Sequence, residues 1–274
     1  MNKILPRDLT SYDLLKTLAV ILMIIDHVGH HFFPDEMWFR VVGRLCVPIW
    51  FFLIGYADTV KVSKFLWLGA FLVGGSALIA GQFLLPLNIL FTIILFRFVR
   101  QGVLARSLHS PEALRGMFLI LLFFTLASYA VFEYGSIAMM FVLMGFIVRH
   151  KEAVYERIER KYILMFVCAS FFSFYFWQGM LLPSANYAQA TLMLLGFGCV
   201  GWILWHFRSV VYVDAHQHIA PSLIKFLQFM GRRTLEIYVA HILIFRAICM
   251  YLFPDDYRFL EWDYVPVSLI APFM

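Results

Sequence analysis

The stretch LLKTLAVILMIIDHVGHHFF, residues 14–33, decides the class of this protein. About 20 mostly apolar residues are needed to cross a bilayer as a helix, and this stretch is long enough. It also contains Lys16, Asp26 and His27, which a purely structural spanning helix would avoid. A charge at membrane depth is costly unless it is paired or faces a wet cavity. The stretch therefore predicts a spanning helix with a functional polar face.

The rest of the chain is similarly apolar. Of its 274 residues, 62% are hydrophobic and 14% are charged, whereas a soluble domain averages about 25% charged residues. A soluble fold could not bury this much apolar surface. Runs such as residues 118–129 show no alternation, which favours helices over barrel strands. We therefore expect an all-α polytopic bundle that forms one transmembrane domain over residues 1–274.

Apolar segments and basic connections predict the topology. Nine segments lie at about 14–33, 38–57, 64–84, 87–100, 115–132, 135–149, 161–179, 188–207 and 234–253, and a last apolar piece at 265–274 is too short to cross alone. Seventeen of the 22 Lys and Arg residues fall in alternate connections, starting with Lys3 and Arg7 at the N-terminus. Because cytoplasmic loops carry the excess of Lys and Arg, we expect about nine spans, a cytoplasmic N-terminus and a C-terminus on the far side.

Several other classes of function are disfavoured. The net charge of +5 is spread through short connections, so it indicates topology rather than nucleic-acid binding. The cysteines at 46, 168, 199 and 249 lie in apolar stretches without paired spacing, which is typical of small packing residues. The first apolar stretch contains charges and lacks a small-residue cleavage site, so we do not interpret it as a removable signal peptide.

The spacing within the first helix gives its polar residues different roles. Lys16 and His27 are eleven residues apart, about 20° past three full turns, so they share one stripe and stand about 16 Å apart along the axis. Asp26 points about 100° away from His27, and we expect it to pair with a cation on another helix, first of all Arg44. Lys16 taken alone could equally be an anchor that extends to the interface. His27 and His31 have a spacing that metals accept, but no further ligand is evident, and no metal is expected.

The last predicted span begins with a second group of candidate residues. Arg232 and Arg233 lie at a cytoplasmic helix start, where the helix dipole favours an anion such as phosphate. Basic loop residues are more often topology signals, so both interpretations stay open. Tyr238 and His241 are three residues apart and share a helix face.

These motifs together resemble a known family. Lys16 and His27 are similar to the basic-X10-His motif in the first helix of the acyltransferase-3 family of membrane proteins. The stretch from Leu15 to His27, followed by Gly43-Arg-Leu-Cys-Val-Pro48, is closer still to TraX, the pilin-acetylating relative. Two further stretches agree, Leu87-Asn88-Ile-Leu-Phe-Thr92 and residues 231–241, whereas residues 100–230 match by topology alone. Lys16 stands where many acyltransferase-3 members have Arg, and Lys cannot reproduce bidentate phosphate recognition.

The resemblance implies an enzyme of the bacterial inner membrane. It would move an acyl group, in the simplest case acetyl, from cytoplasmic acetyl-CoA to a pilin N-terminus or an envelope glycan on the far side, without a metal. The predicted catalytic residues are His27 and Asp26, and the predicted substrate- and CoA-binding residues are Lys16, Arg44, Asn88, Arg232, Arg233, Tyr238 and His241. His27 could act as a general base or could itself be acylated, and the sequence does not decide between these roles.

A second class of function uses the same residues. Asp26, His27 and His241 could form a proton relay in a coupled transporter, since intramembrane ionisable groups serve such relays. The sequence shows no inverted repeat and no paired broken helices, which are typical of many transporters. A transporter would move its solute without acyl-CoA, whereas an acyltransferase would bind CoA, and this difference separates the two hypotheses.

Overall fold

A computed structural model describes residues 8–57 and 59–261 of the chain. Within these residues the fold is almost entirely helical. The helices are α1 (Ser11–Phe32), α2 (Met37–Gly43), α3 (Cys46–Tyr56), α4 (Lys64–Ile79), α5 (Ile89–Ser107), α6 (Pro111–Phe123), α7 (Thr125–Tyr129), α8 (Met139–Arg149), α9 (Lys151–Tyr155), α10 (Arg160–Leu181), α11 (Tyr187–Trp205), α12 (Ala215–His218), α13 (Pro221–Arg232) and α14 (Thr234–Leu252). A 3-10 turn at Ser136–Ala138 precedes α8, and two short strands, β1 (Leu9–Thr10) and β2 (Val211–Tyr212), pair antiparallel.

The expected all-α membrane class is confirmed. Every one of the nine predicted apolar segments contains a helix. In the described part of the chain, four helical stretches are long and apolar enough to cross a membrane, namely Met37–Tyr56, Arg160–Leu181, Tyr187–Trp205 and Thr234–Leu252. The count of about nine crossings and the orientation of the termini stay predictions. Lys3, Arg7 and the apolar piece at 265–274 lie outside the described residues.

The second predicted segment is interrupted where its proline requires it. A proline ring clashes with the carbonyl four residues earlier and removes one helical hydrogen bond. Four residues before Pro48 is Arg44, and α2 ends and α3 begins on either side of a turn at Arg44 and Leu45. The break therefore has a local cause, and Arg44 itself keeps a helical backbone, with its N–H donating to the Arg40 carbonyl at 3.0 Å.

Helix α1 begins at a well-defined cap. The Thr10 hydroxyl accepts a hydrogen bond from the Asp13 backbone N–H at 3.1 Å, and the Asp13 carboxylate accepts one from the Thr10 backbone N–H at 3.0 Å. This reciprocal capping box satisfies two of the N–H groups that a helix start leaves unpaired. Strand pairing of Leu9 with Tyr212 and of Thr10 with Val211 anchors the same end of α1 to the connection between α11 and α12. The start of α1 is therefore fixed on two sides.

Helix α13 is an element that the hydropathy reading does not predict. Its apolar and polar residues lie on different faces, and Leu223, Phe226 and Phe229 are exposed. The opposite side contacts α1, where the Thr17 hydroxyl donates to the Leu227 carbonyl at 2.9 Å. Gly231 lies directly against the backbone of Asp13. Hydropathy does not predict this short helix, because only one part of its surface is apolar and it contains no long apolar run.

Two glycines allow α3 and α8 to cross in close contact in the core. A methyl group at Gly55 would overlap the Val142 carbonyl, and a methyl group at Gly145 would overlap the Phe52 carbonyl. Small residues at a crossing let two helix backbones approach closely, which is the main source of packing energy between helices in lipid. Gly55 and Gly145 therefore set how closely α3 and α8 approach each other.

Replacing Gly55 by Ala is expected to lower the stability of the detergent-solubilised protein by about 1–3 kcal/mol, because the added methyl overpacks the crossing. The matched control is Gly75→Ala in α4, where an added methyl meets no atom within 4 Å. This control should be neutral or stabilising by up to about 1 kcal/mol, because Ala favours helix over Gly. Thermal unfolding of the two variants measures the difference, and equal effects would contradict the close crossing.

Candidate functional site

A cavity of about 690 Å³ lies beside α1 and continues for much of the length of that helix. Residues from several parts of the sequence line it. They include Tyr12, Asp13, Lys16, Met23, Asp26 and His27 from α1, Cys46 and Trp50 from α3, Arg97 from α5, Glu133 and Tyr134 from the connection before α8, Arg149 from α8, and Arg232 and Tyr238 near the junction of α13 and α14. The volume falls within the usual range for small-molecule sites, about 300–1,000 Å³. Lys16 and His27 line this same cavity, in agreement with the predicted stripe.

Four cations gather toward the end of the cavity where α1 begins. They are Lys16, Arg97, Arg149 and Arg232. The Arg149 guanidinium donates to the Tyr56 carbonyl at 2.8 Å, and that of Arg97 donates to the Lys61 carbonyl at 2.7 Å. These bonds to backbone carbonyls orient the two side chains. Asp13 lines the same end of the cavity and pairs with Arg232, but among the described lining residues there the cations outnumber the carboxylates, which favours an anionic ligand.

Arg232 is held by the cap of α1. Its Nε and Nη2 atoms donate to the two carboxylate oxygens of Asp13 at 3.0 and 2.9 Å, and Nη2 also donates to the Asp8 carbonyl at 2.9 Å. This two-pronged pairing is the geometry in which Arg binds carboxylates most specifically. Asp13 therefore serves both the cap of α1 and the position of Arg232.

The imidazole of His27 lies deeper along α1. Its Nδ1 is 2.6 Å from Nε2 of His241 on α14, and Nδ1 of His241 is 2.7 Å from the Ile237 carbonyl one turn earlier. The Tyr238 ring, also on α14, has its centre 5.9 Å from that of His27. His27 and Tyr238 line the cavity. His241 is not among the lining residues and lies behind His27.

Asp26 forms a buried ion-pair cluster beside this site. Its carboxylate is 3.0 Å from the Arg40 guanidinium and 3.6 Å from Nε of Arg44. Nη1 of Arg44 donates to the Tyr134 hydroxyl at 3.0 Å. The predicted pairing of Asp26 with Arg44 is confirmed, and the structure adds Arg40 as the closer partner. Two cations around one carboxylate hold α1 against the α2–α3 break.

Glu133 is a lining residue that the sequence reading missed. Its Oε2 accepts a hydrogen bond from the Ile89 backbone N–H at 2.8 Å, at the start of α5. The Thr92 hydroxyl donates to the Glu133 carbonyl at 2.9 Å, and the Glu133 N–H donates to the Leu87 carbonyl at 3.0 Å. Glu133 falls between two predicted segments, where a charge is usually assigned to a surface loop. The useful signal was the shortness of this connection, which keeps Glu133 within the bundle.

A comparison with protein families identifies the chain. A family model described as TraX protein matches residues 11–221, more than half of the sequence. The chain belongs to the TraX family. The match covers α1 with Lys16 and His27 and ends before α14 with Tyr238 and His241.

The relatives of this TraX-family chain carry little functional information. Uncharacterized protein RP591 of Rickettsia prowazekii (strain Madrid E) is 27% identical over 274 residues, covering 94% of this chain and all of that protein. No solved structure matches the chain significantly.

The structure brings five of the predicted site residues of this TraX-family chain to the cavity, namely Lys16, Asp26, His27, Arg232 and Tyr238. The other four are not among the lining residues, and each has another contact. Arg44 binds Asp26 and Tyr134, and His241 bonds to His27. Asn88 caps α5, with its oxygen accepting from the Leu90 N–H and its nitrogen donating to the Ala70 carbonyl. Arg233 forms an exposed pair with Glu236.

Metal ligation finds no support in the part of the chain that the structure describes. No group of three or more His, Cys, Asp or Glu side chains there is arranged to hold an ion. His31, whose spacing from His27 would suit a shared metal, instead has its Nδ1 2.8 Å from the Tyr257 hydroxyl.

Removing the charge of Asp26 should destabilise the whole bundle. Asp26→Asn leaves Arg40 and Arg44 without their carboxylate, and breaking a buried ion pair from one side costs about 3–5 kcal/mol. The control is Glu236→Gln, which removes the exposed pair with Arg233 and should cost about 1 kcal/mol or less. Thermal or chemical unfolding in detergent distinguishes the two. A loss at Asp26 as small as the control would show that the cluster does not hold the helices together.

Proposed function

We propose that this TraX-family chain is a membrane acyltransferase, related to the acyltransferase-3 proteins, that transfers an acyl group from acyl-CoA. The single observation that carries the proposal is the cavity itself, which combines four cations toward the start of α1 with the imidazole of His27 farther along the same helix. An acyl-CoA has a matching distribution of groups. Its phosphates are highly charged, and its reactive thioester is neutral and lies at the far end of a long arm.

The proposed orientation follows the distribution of basic residues. With about nine spans and a cytoplasmic N-terminus, the start of α1 and its cations face the cytoplasm, where acyl-CoA is made. Lys16 and Arg232 would bind phosphate oxygens, and Arg97 and Arg149 would add to the positive field. The acceptor would be a pilin N-terminus or an envelope glycan on the far side of the bacterial inner membrane.

The chemistry falls to His27 and two neighbouring hydroxyls. His27 would take the proton of the acceptor amine or hydroxyl as its nitrogen or oxygen attacks the thioester carbonyl, forming the new C–N or C–O bond. When the C–S bond breaks, the same proton would pass to the sulfur of CoA. Tyr134 receives a hydrogen bond from Arg44, so its own O–H can donate into the cavity and stabilise the charge that develops on the carbonyl oxygen. Tyr238 offers a second hydroxyl in the cavity lining.

Asp26 acts through structure in this proposal. Its carboxylate is engaged by Arg40 and Arg44, so it would set the position of α1 and of the arginine that polarises Tyr134. The sequence-based proposal of a direct catalytic role for Asp26 is replaced here by a positioning role. Arg44, Asn88 and Arg233 are not proposed as ligands of CoA because none of them is among the cavity-lining residues.

Binding of CoA should depend on the cations of the cavity. Lys16→Gln is expected to weaken CoA binding about tenfold or more, since a hydrogen bond to a charged group contributes about 1.5–3 kcal/mol. Lys225→Gln removes an exposed charge from α13, outside the cavity lining, and should leave the affinity unchanged. Calorimetry with purified protein at two salt concentrations measures both variants. Equal affinities for the two would exclude Lys16 from the donor site.

Acyl transfer should require His27. In proteoliposomes that contain the acceptor, His27→Ala is expected to lower the rate of acetyl transfer by about 10²–10⁴, the usual contribution of a general base. CoA binding should persist, because the cations remain. His30→Ala is the control, since this exposed imidazole on α1 is outside the lining. Mass spectrometry of the acceptor, with a gain of one acetyl group, reports the transfer.

The same proteoliposomes test the transporter alternative. Flux of a solute or of protons that proceeds without acyl-CoA, together with no acetylation of the acceptor by the natural protein, would overturn the acyltransferase proposal. One observation favours this alternative: His27 and His241, two members of the proton relay that it requires, form a direct hydrogen bond inside the bundle.

A further inference from the structure

We infer that His241 is a positioning residue that fixes which nitrogen of His27 faces the reactants. The inference rests on the proposed function for its effect on rate, but the proton arrangement that it describes can be measured without any activity. His241 would bind neither CoA nor acceptor.

The hydrogen-bond chain determines the proton positions. The Ile237 carbonyl oxygen can only accept, so Nδ1 of His241 must carry a proton to make the 2.7 Å bond. In a neutral His241 the other nitrogen, Nε2, is then unprotonated and acts as an acceptor. The 2.6 Å bond between the rings therefore needs a proton on Nδ1 of His27. In a neutral His27 this leaves Nε2 with a free lone pair, which is the form that a general base requires.

The relative orientation of the rings supports the same arrangement. Their planes are inclined by 20° and their centres are 4.9 Å apart. The ring centres are farther apart than the two bonded nitrogens, which are 2.6 Å apart, by about the sum of the two centre-to-nitrogen distances. Both nitrogens therefore lie close to the line that joins the centres. The bond thus runs nearly within the planes of both rings, edge to edge. The Nε2 edge of His27 is consequently turned away from His241.

The position of each ring relative to the cavity completes the argument. His27 lines the cavity and His241 does not, so the edge of His27 that points away from His241 is the one available to reactants. His241 is itself held on α14 by a carbonyl one turn earlier, and its ring packs against Phe245 with centres 5.4 Å apart. A rigid helix thus supports the acceptor atom that orients His27. This is the arrangement in which an outer partner sets the tautomer and direction of a functional histidine.

The pair also gives the transferred proton a stable place. When Nε2 of His27 takes the acceptor proton, the imidazolium that forms still donates from Nδ1 to His241. A hydrogen bond from a charged donor is stronger than one from a neutral donor. The stabilisation therefore grows in the transition state, and this raises the rate rather than the affinity for substrate.

Two variants separate positioning from packing. In His241→Gln, the amide oxygen can still accept from Nδ1 of His27, so kcat should stay close to that of the natural protein. In His241→Leu, a side chain of similar bulk offers no acceptor, and kcat should fall about 10- to 100-fold, the scale for losing an outer partner of a histidine. The KM for acetyl-CoA should be unchanged in both, because His241 is not among the cavity-lining residues. An unchanged kcat in His241→Leu, or an equal loss in both variants, would overturn the positioning role.

Nitrogen NMR tests the proton arrangement directly. The full chain is labelled with ¹⁵N-histidine in nanodiscs, and the His27 signals are assigned by their loss in His27→Ala. The inference requires a protonated Nδ1 and an unprotonated Nε2 at neutral pH in the natural protein and in His241→Gln, and a change of this pattern in His241→Leu. A proton on Nε2 in the natural protein would overturn it. If no acyl transfer is found while the expected pattern is present, the proposed function fails and the assigned tautomer stands.

Discussion

The buried carboxylate of Asp26, with Arg40 and Arg44 around it, is the interaction on which the arrangement of this bundle depends. It joins the middle of α1 to α2 and to the break before α3, and through Arg44 it reaches Tyr134 in the connection before α8. Taking such charges out of water is unfavourable, and mutual pairing only partly offsets that cost. Gly43 lies directly against Asp26 and allows the two backbones to meet. Without that contact the cluster could not close.

The cluster also explains why the imidazole of His27 is not the ion-pair partner of Asp26. Asp26 and His27 are adjacent in sequence, so on a helix they point about 100° apart. Asp26 turns toward the two arginines of the α2–α3 region, and His27 turns toward α14 and the cavity. A histidine that itself paired with Asp26 would be an ion-pair partner. Fixing the carboxylate elsewhere leaves the imidazole to bond to His241.

The helical class, the nine apolar segments and the common face of Lys16 and His27 could be predicted from the sequence, because they follow from hydropathy and from the period of the helix. The direction of Asp26 and its pairing with Arg44 follow from the same period. The neutral partner of His27 could not be predicted, because His241 and Tyr238 share a helix face and only packing decides which of them reaches the cavity. Glu133 was missed for another reason. Its burial depends on hydrogen bonds to the start of α5 from a short connection, and no local pattern encodes that contact.

The first helix is bonded to the last third of the described chain at repeated points along its length. Ser11 exchanges hydrogen bonds with residues 208–210, Asp13 binds Arg232, Thr17 donates to Leu227, His27 bonds to His241, and His31 lies against Tyr257. Apolar packing alone would permit α1 to slide by a turn against its neighbours, because lipid and apolar side chains offer similar surroundings at every depth. A slide by one turn would break several of these bonds at once and leave polar groups unpaired where water is scarce. The polar contacts therefore fix the depth of His27 relative to Lys16 and Arg232. In the proposed acyltransferase, this fixed depth would allow cations and a base separated by three turns of helix to act on one extended ligand.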